Sequence, residues 1–534
     1  MAETATVTLT IDGHEITVPR GTTILEAART IGTVVPHYCY HPGMSSPAMC
    51  RLCLVEVEGA PKPMAGCVTT VADGQAVRTL SERAKGFRKG VLEFYLLNHP
   101  LDCPICDMAG ECDLQDYVHA EGREHGRGRE PKRVFGRDDF GGDVLFYGDR
   151  CVMCTRCVRF MSEVEQDHRL TVVERGNRSI IDTFFEEGLE GTHWHGNIVD
   201  ICPVGALVSK DFLHKARAWD LEHTPSVCPS CSQGCNIELH TRDHLVQRIK
   251  PRENLDVNGW WMCDHGRHNY HWINHGERIE APLVRGPDGA TRAVGWKEAL
   301  SSLLRRVSEL GHSSVRAVAS PLASNEDLGA LAELVGALGG GETVYRSERA
   351  DEEITLKGFP GLARRRDLVP NGRGAELLGM TRTGSDDATG GLDAVAGHEG
   401  IVIVLGDALE DQPASFGDSA SLYVYLGHST SAATAHADFV LPVTTFAEQE
   451  GTFTNVQGRV QRFWPALQPP GMARPAWLII GALLAELTDQ GAPRSAAEAF
   501  GALSSAVSAF SGMSYEDIGA RGAVVNETVS LAGD

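Results

Sequence analysis

The sequence predicts a multidomain chain, with small α+β modules in its N-terminal half and a layered α/β domain in its C-terminal half. Two observations carry this reading. First, all fifteen cysteines lie at or before Cys263, and with one histidine they fall in chain order into four groups of four metal-type donors. The groups are Cys39, Cys50, Cys53 and Cys67; His99, Cys103, Cys106 and Cys112; Cys151, Cys154, Cys157 and Cys202; and Cys228, Cys231, Cys235 and Cys263. Second, helical and strand patterns alternate past Cys263, the signature of α/β layers.

A chain of 534 residues suits roughly three to five domains. The start, MAETATVTLT, lacks the basic residues and apolar stretch of an export signal, so the expectation is an unexported chain. Apolar stretches such as 477–487 fall short of the ~18 to 20 residues of a membrane-spanning helix. In a reducing compartment disulfides are disfavoured, and metal ligation becomes the use for so many thiols. The formal net charge of -22, with no basic stretch standing out, argues against a nucleic-acid partner and for protein partners.

The first module, expected over 1–80, opens with alternation at Val7, Leu9 and Ile11, a turn at Asp12-Gly13 and a second alternating run through Ile16 and Val18. That is a hairpin. Thr22 or Thr23 then caps a helix whose apolar positions are Ile24, Leu25, Ala28 and Ile31. The cysteines follow as C-x10-C-x2-C and x13-C, four thiolates suited to a [2Fe-2S] cluster; zinc would use the same donors. Strand, strand, helix followed by cysteines resembles a ubiquitin-like (β-grasp) ferredoxin.

The second module, 81–130, reads as a helix over 81–98 with Phe87, Val91, Phe94 and Tyr95 on one side, then HPLDCPICDMAGEC. Three cysteines leave one iron of a [4Fe-4S] cluster open, and His99 is the nearest side chain able to close it. A neutral imidazole in place of a thiolate makes the surroundings less negative and eases reduction, as in Rieske centres. YLLNHPLDCPICDMAGECDLQD, with CYHPGMSSPAMCRLCLVEVEG upstream, resembles the large iron-sulfur (G-type) subunit of bacterial respiratory complex I, the NADH:quinone oxidoreductase. NAD-linked hydrogenases and formate dehydrogenases share the histidine-plus-three-cysteine motif.

The third module, 144–220, carries C-x2-C-x2-C in DRCVMCTRCVRF and a returning Cys202-Pro203. A two-cluster ferredoxin gives C-x2-C-x2-C-x3-C-P twice. Here Met161 takes the fourth position of the first run, and Thr192, His195 and Ile198 take three cysteine positions of the second. One [4Fe-4S] cluster of an ancestral pair is therefore lost, and His195 is not expected to be a ligand. This single-cluster pattern resembles complex I rather than its hydrogenase and formate dehydrogenase relatives. Arg150, Arg156 and Arg159 either balance cluster charge or are ordinary surface arginines.

The fourth module, 221–277, has C-x2-C-x3-C-x27-C, similar to the [4Fe-4S] module that opens molybdopterin oxidoreductases; zinc is again the competing occupant. Lys250 lies where those enzymes can have a relay lysine, and a solvated lysine reads equally from sequence. The cysteine-free part, 278–490, predicts helices over 300–310 and 326–338, buried strands over 401–405 and 422–426, a helix-ending turn at Gly339 to Gly341 and a loop or linker over 364–391. ADFVLPVTTFAEQEGTFTNVQGRVQRF resembles a block of the molybdopterin-oxidoreductase fold as complex I subunits carry it. With no cysteine left to ligate a metal and a shortened domain, no molybdopterin is expected. Residues 491–534 read as a tail.

The resemblance implies one [2Fe-2S] and three [4Fe-4S] clusters and no residue acting as acid, base or nucleophile. It implies electrons arriving from a partner subunit that binds NADH and FMN, passing the first, third and second groups, and leaving to a two-cluster ferredoxin-like subunit on the way to quinone. Other peripheral-arm subunits complete the partners. The expected place is the cytoplasmic side of the bacterial inner membrane, as a peripheral part of a membrane complex. The alternatives are an iron-sulfur subunit of a soluble NAD-linked formate dehydrogenase or hydrogenase, and a zinc-bearing scaffold.

Overall fold

The computed structural model describes residues 5–526, except 185, 275, 312, 384–390, 408, 410 and 490. The chain divides into two compact units, one of Met1–Leu221 with Leu356–Phe359, the other of Glu222–Thr355 with Pro360–Asp534.

The first unit opens with the hairpin Thr6–Ile11 and His14–Pro19, Ile11 opposite His14. Asp12 and Gly13 both take positive φ at the turn, and the Asp12 carboxylate accepts Thr79 N–H at 2.7 Å, which ties the turn to the strand Ala76–Arg78. A mixed five-stranded sheet results, in the order His14–Pro19, Thr6–Ile11, Ala76–Arg78, Leu54–Val57, Met64–Ala65. The helix Ile24–Thr30 starts with a reciprocal cap between Thr23 and Glu26 and buries Ile24, Leu25, Ala27 and Ala28 against Leu9, Ile11, Val55 and Val77.

The helix Glu82–Leu96 follows, but its buried side is not the expected one. Ala84, Arg88 and Leu92 face inward, while Phe94 is 71% exposed and Phe87 37%. The reason is an ion pair: Arg88, 1% exposed, bonds Glu121 of the helix Asp113–Glu121, and that contact turns the Arg88 side inward. The rest of the unit has a three-stranded antiparallel sheet, Leu207–Ser209, Val144–Tyr147 and Arg137–Asp139. It adds the hairpin Leu170–Val173 with Ile180–Thr183, and two short helices, Arg156–Arg159 and Gly196–Asp200.

The second unit begins with the antiparallel strands Glu222–Val227, Asn236–Arg242 and Leu245–Pro251. Its centre is an eight-stranded sheet in the order Thr291–Ala293, Leu283–Arg285, Phe439–Pro442, Leu422–Gly427, Ile401–Leu405, Val315–Ala319, Gly341–Arg346, Thr381–Thr383. The last six of these are parallel. From Val315–Ala319 the chain steps outward to Thr381–Thr383, then restarts at Ile401–Leu405 and steps the other way, a doubly wound arrangement. Helices cover both faces, which explains why all five residues of Ile401–Leu405 are buried. On one face Leu303 of Trp296–Leu310, Leu331 of Asn325–Ala337 and Ile480 of Ala476–Thr488 meet the strands. The helix after Ser324 ends at Ala337, and Gly339 and Gly340, with φ of 110° and 82°, form the turn into Gly341–Arg346.

Two expectations fail here. The region 364–391 is not simply a loop: it holds the helix Gly372–Leu377 and the strand Thr381–Thr383, pinned where Asn371 Oδ1 accepts Thr454 N–H at 2.8 Å. Residues 384–390 of it lie outside the described residues. Nor is 491–534 a bare tail. The helices Ala496–Ala506 and Tyr515–Ile518, with the turn Ser508–Phe510 between them, bury Phe500, Phe510, Tyr515 and Ile518, and Ala523–Val524 adds a strand to Gly451–Thr454 and Arg459–Phe463; 527–534 lie outside the described residues. Among the described residues no helix is long and apolar enough to cross a membrane.

Candidate metal centres

None of the fifteen cysteines is paired in a disulfide. In the first unit Cys39, Cys50, Cys53 and Cys67 are all buried, and their side chains hydrogen-bond one another, Cys50 to Cys39, Cys53 to Cys67 and Cys67 to Cys39. Two non-glycine residues of the intervening loop, Ala48 and Arg51, take left-handed φ of 52° and 58°, local strain of the kind kept at working sites. The Tyr38 N–H points at Cys50 Sγ at 3.4 Å. The bond to Cys39, then burial, push the Cys50 thiol up, while the bond to Cys67 pulls Cys53 down.

His99 comes just after the helix Glu82–Leu96, Cys103 opens a short turn, and Cys112 immediately precedes the helix Asp113–Glu121. Cys103, Cys106 and Cys112 form a chain of electrostatic neighbours, and Arg150 acts on both Cys106 and the His99 ring. Burial, aided by Arg150, lowers His99 to about 4, so its imidazole is neutral at pH 7. The ring interacts with the Arg150 backbone, while Nδ1 is buried with no hydrogen-bond partner, a stranded polar atom that suits a ligating histidine. Burial pushes Cys112 up to about 11. Cys103 is exposed, between Leu101 and Ile105, which are exposed too.

Cys151, Cys154, Cys157 and Cys202 line one small cavity of about 20 Å³, walled by apolar groups such as Phe146, Ile181 and Val204. Met153 and Thr155, with φ of 50° and 58°, curl the loop around it. Burial drives Cys202 up to about 12, so a thiolate there needs a neighbouring cation. At the positions of the lost second cluster, Met161 and Ile198 are fully buried. His195 has both ring nitrogens engaged: Asp143 N–H donates to Nε2 at 3.3 Å, and Nδ1 meets Thr192 Oγ1 at 2.9 Å.

Gly205 brings the second and third groups together. A Cβ built on it would stand 2.2 Å from Cys106 Sγ, three residues after Cys202. The first and third are also neighbours, since Tyr95 donates to Cys50 O at 3.2 Å and feels charge at Cys50, Cys154 and Cys39. Arg150, Arg156 and Arg159 are all buried, which settles the surface alternative against them.

In the second unit Cys228, Cys231, Cys235 and Cys263 are buried and act on one another electrostatically. Cys228 N–H bonds Cys235 O at 2.8 Å, and a Cβ on Gly266 would lie 2.8 Å from Cys228 Sγ and 3.7 Å from Cys263 Sγ. Burial pushes Cys228 up to about 12. Lys250 is half-buried on its strand opposite Glu238. Sequence reasoning missed one further cluster, His223, Glu238 and His240, whose ligand-type atoms lie within 4.8 Å of one another. Cross-strand pairing with i, i+2 spacing was the signal available. Arg248 Nε–H donates to His240 Nδ1 at 3.0 Å, which leaves the other nitrogen as an N–H toward Glu238, a proton rather than a lone pair.

Fold and donor sets define a class, iron-sulfur modules ahead of a doubly wound α/β domain, and comparisons with known proteins narrow it. The 2Fe-2S iron-sulfur cluster binding domain matches residues 4–82. The NADH-ubiquinone oxidoreductase-G iron-sulfur binding region matches 88–127, and the ferredoxin-like domain of NADH-quinone oxidoreductase subunit 3 matches 141–208. The molybdopterin oxidoreductase Fe4S4 domain matches 221–275 and the molybdopterin oxidoreductase family 397–486. The NADH-ubiquinone oxidoreductase 78 kDa subunit of Candida albicans is 31% identical over 90% of this chain and 82% of its own. The G-type NADH-quinone oxidoreductase subunit of Rickettsia bellii is 39% identical over 60% of this chain and 46% of its own. A solved NAD+-reducing [NiFe]-hydrogenase chain aligns at 31% identity over 40% of this chain and 91% of that one with a TM-score of 0.36, too loose a likeness to bear on either reading. This chain belongs to the family of the G-type iron-sulfur subunits of NADH-quinone oxidoreductase and their 75 and 78 kDa mitochondrial-type counterparts. It spans about half the length of most of the curated relatives it matches.

Proposed function

We propose that the chain is the electron-transfer subunit of the peripheral arm of an NADH:quinone oxidoreductase, passing electrons from an NADH- and FMN-binding partner toward quinone by way of a two-cluster ferredoxin-like partner. Its donors would be the sixteen side chains above, for one [2Fe-2S] cluster in the first group and one [4Fe-4S] cluster in each of the others. Clusters so bound accept and donate single electrons. The chain's own contribution is to hold the donors, exclude water and set the surrounding charge. The observation that supports the reading is the convergence of the donors: Cys151, Cys154, Cys157 and Cys202 line one cavity, and the four thiols of the first group and the four of the fourth are all buried.

The complex would hold the chain peripherally on the cytoplasmic side of the inner membrane. The hydrogenase and formate dehydrogenase reading is less favoured, because Thr192, His195 and Ile198 stand where its extra cluster needs cysteines, packed as core or hydrogen-bonded to the backbone. No pterin is proposed for the second unit, whose sequence has no cysteine after Cys263 to ligate a metal beside one. The test is NADH:quinone reductase activity of membranes carrying Cys106→Ala. Loss of activity with the complex assembled supports the reading, and unaltered turnover refutes it.

A further inference from the structure

In the second unit a cavity of about 410 Å³ lies between three helices, Asn325–Ala337, Ala476–Thr488 and Ala496–Ala506. That is within the ~300–1,000 Å³ of small-molecule sites. Short side chains make the space: Ala330 and Ala332 on the first helix, Ala485 on the second, and Ala499, Ala502 and Ala506 on the third stop where longer ones would meet. The walls are braced beside it. A Cβ on Gly329 would stand 2.9 Å from Leu503 Cδ1, and one on Gly481 2.8 Å from Pro493 Cδ, so the walls already touch at these two points and cannot draw closer there.

The lining decides what the cavity can take. Among the described residues that line it there is no lysine, arginine or histidine to meet an anion. Its two carboxyls are Glu333, exposed on the first helix, and Glu326, buried, bonded by Thr452 and by the Tyr515 hydroxyl at 2.8 Å, and raised by burial to about 7. Phosphates and carboxylates are therefore disfavoured, and an uncharged apolar body is favoured. One donor is left over. Trp477 lines the cavity and is 6% exposed, and its indole N–H has no hydrogen-bond partner among the described residues. Its backbone N–H donates to the Asp327 carboxylate at 2.8 Å, which holds the residue in place at the start of its helix. A buried N–H without an acceptor is costly, so an occupant carrying a carbonyl gains the bond that the protein leaves unmade.

We propose that this cavity binds a small uncharged ketone of apolar body, with the carbonyl accepting the Trp477 indole N–H. The site lies wholly within the second unit, uses none of the sixteen cluster donors and does not depend on what they hold.

The test is anaerobic equilibrium dialysis of the purified full chain against prodan, an uncharged naphthalene ketone, and against 2-dimethylaminonaphthalene, the same ring system without the carbonyl. The expected result is saturable prodan binding, about tenfold tighter than that of the carbonyl-free probe. Trp477→Phe keeps an aromatic ring but removes the N–H, so the two probes should bind it equally. Ala485→Phe should fill the cavity and abolish prodan binding; where it fails to fold, Ala502→Phe, from the facing helix and an exposed position, makes the same test. An aromatic anion, 8-anilinonaphthalene-1-sulfonate, should not displace prodan. No saturable prodan binding by the parent overturns the proposal, as does equal affinity of the parent for both probes. So does a carbonyl preference that survives in Trp477→Phe, full binding by a folded cavity-filling variant, or displacement by the sulfonate.

Discussion

Gly205→Ala should disrupt the second centre while sparing the ligands of the third. A Cβ at this position would lie 2.2 Å from Cys106 Sγ and 3.2 Å from the Met108 Cβ. Such atoms rest at about 3.5 Å or more, so the sulfur must retreat by roughly 1.3 Å or the Cys202 loop must move by as much. Metal-ligand distances tolerate only about 0.2 Å, so the expected result is loss of Cys106 as a donor. Overpacking of this kind costs about 1–3 kcal/mol besides. The assay is low-temperature EPR of dithionite-reduced protein with iron quantified, alongside thermal unfolding. The His99-group signal should vanish or convert to a three-iron species, with the signals of the first and fourth groups intact. Gly86→Ala is the control: it sits mid-helix with nothing within 4 Å, and should leave every signal unchanged while adding up to about 1 kcal/mol. A Gly205→Ala protein with the parent's iron content and spectrum would refute the argument.

His99→Cys should keep the second centre but lower its potential, because an anionic thiolate replaces a neutral imidazole; an unchanged potential in a redox titration would show that His99 is not a ligand. Glu326 predicts a pH effect in the second unit. Burial raises its carboxyl from 4.5 to about 7 although it accepts bonds from Thr452 and from the Tyr515 hydroxyl at 2.8 Å. The folded state thus holds the proton more tightly than the unfolded one, so stability is full below about pH 4.5 and declines as pH rises through 7, by about 3 kcal/mol in all. Glu326→Gln should flatten that decline in unfolding midpoints measured from pH 5 to 8; an unaltered slope would contradict it. Leu331→Ala, at a fully buried site beneath the large sheet, should cost about 2–5 kcal/mol in denaturant unfolding, and a loss under 1 kcal/mol would show that the packing is misread.

What was legible in the sequence was what short range decides. Loop spacing groups Cys50 with Cys53 and Cys151 with Cys154 and Cys157, and strict alternation before Asp12-Gly13 forces the hairpin. Continuous apolar runs such as Ile401–Leu405 announce strands buried on both faces. What was hidden depends on partners far along the chain. The face of Glu82–Leu96 is turned by Arg88 meeting Glu121, which apolar periodicity cannot register. The helix Gly372–Leu377 sits in glycine-rich, polar sequence, held where Asn371 captures Thr454. The last helices fold onto Val460 and Trp477, residues distant in sequence. The arginines beside the ligands read as surface or buried with equal ease until Arg156 is seen to span Tyr40 and Ile201.

The central claim is that the four donor sets hold iron and sulfide. Its most direct test is metal and acid-labile sulfide analysis of the anaerobically purified chain, with EPR spectra recorded as it is stepwise reduced. The account predicts about 14 iron atoms per chain, no molybdenum, one [2Fe-2S] signal and three [4Fe-4S] signals. A colourless protein carrying zinc without iron, or one whose cysteines are paired as disulfides, would contradict it.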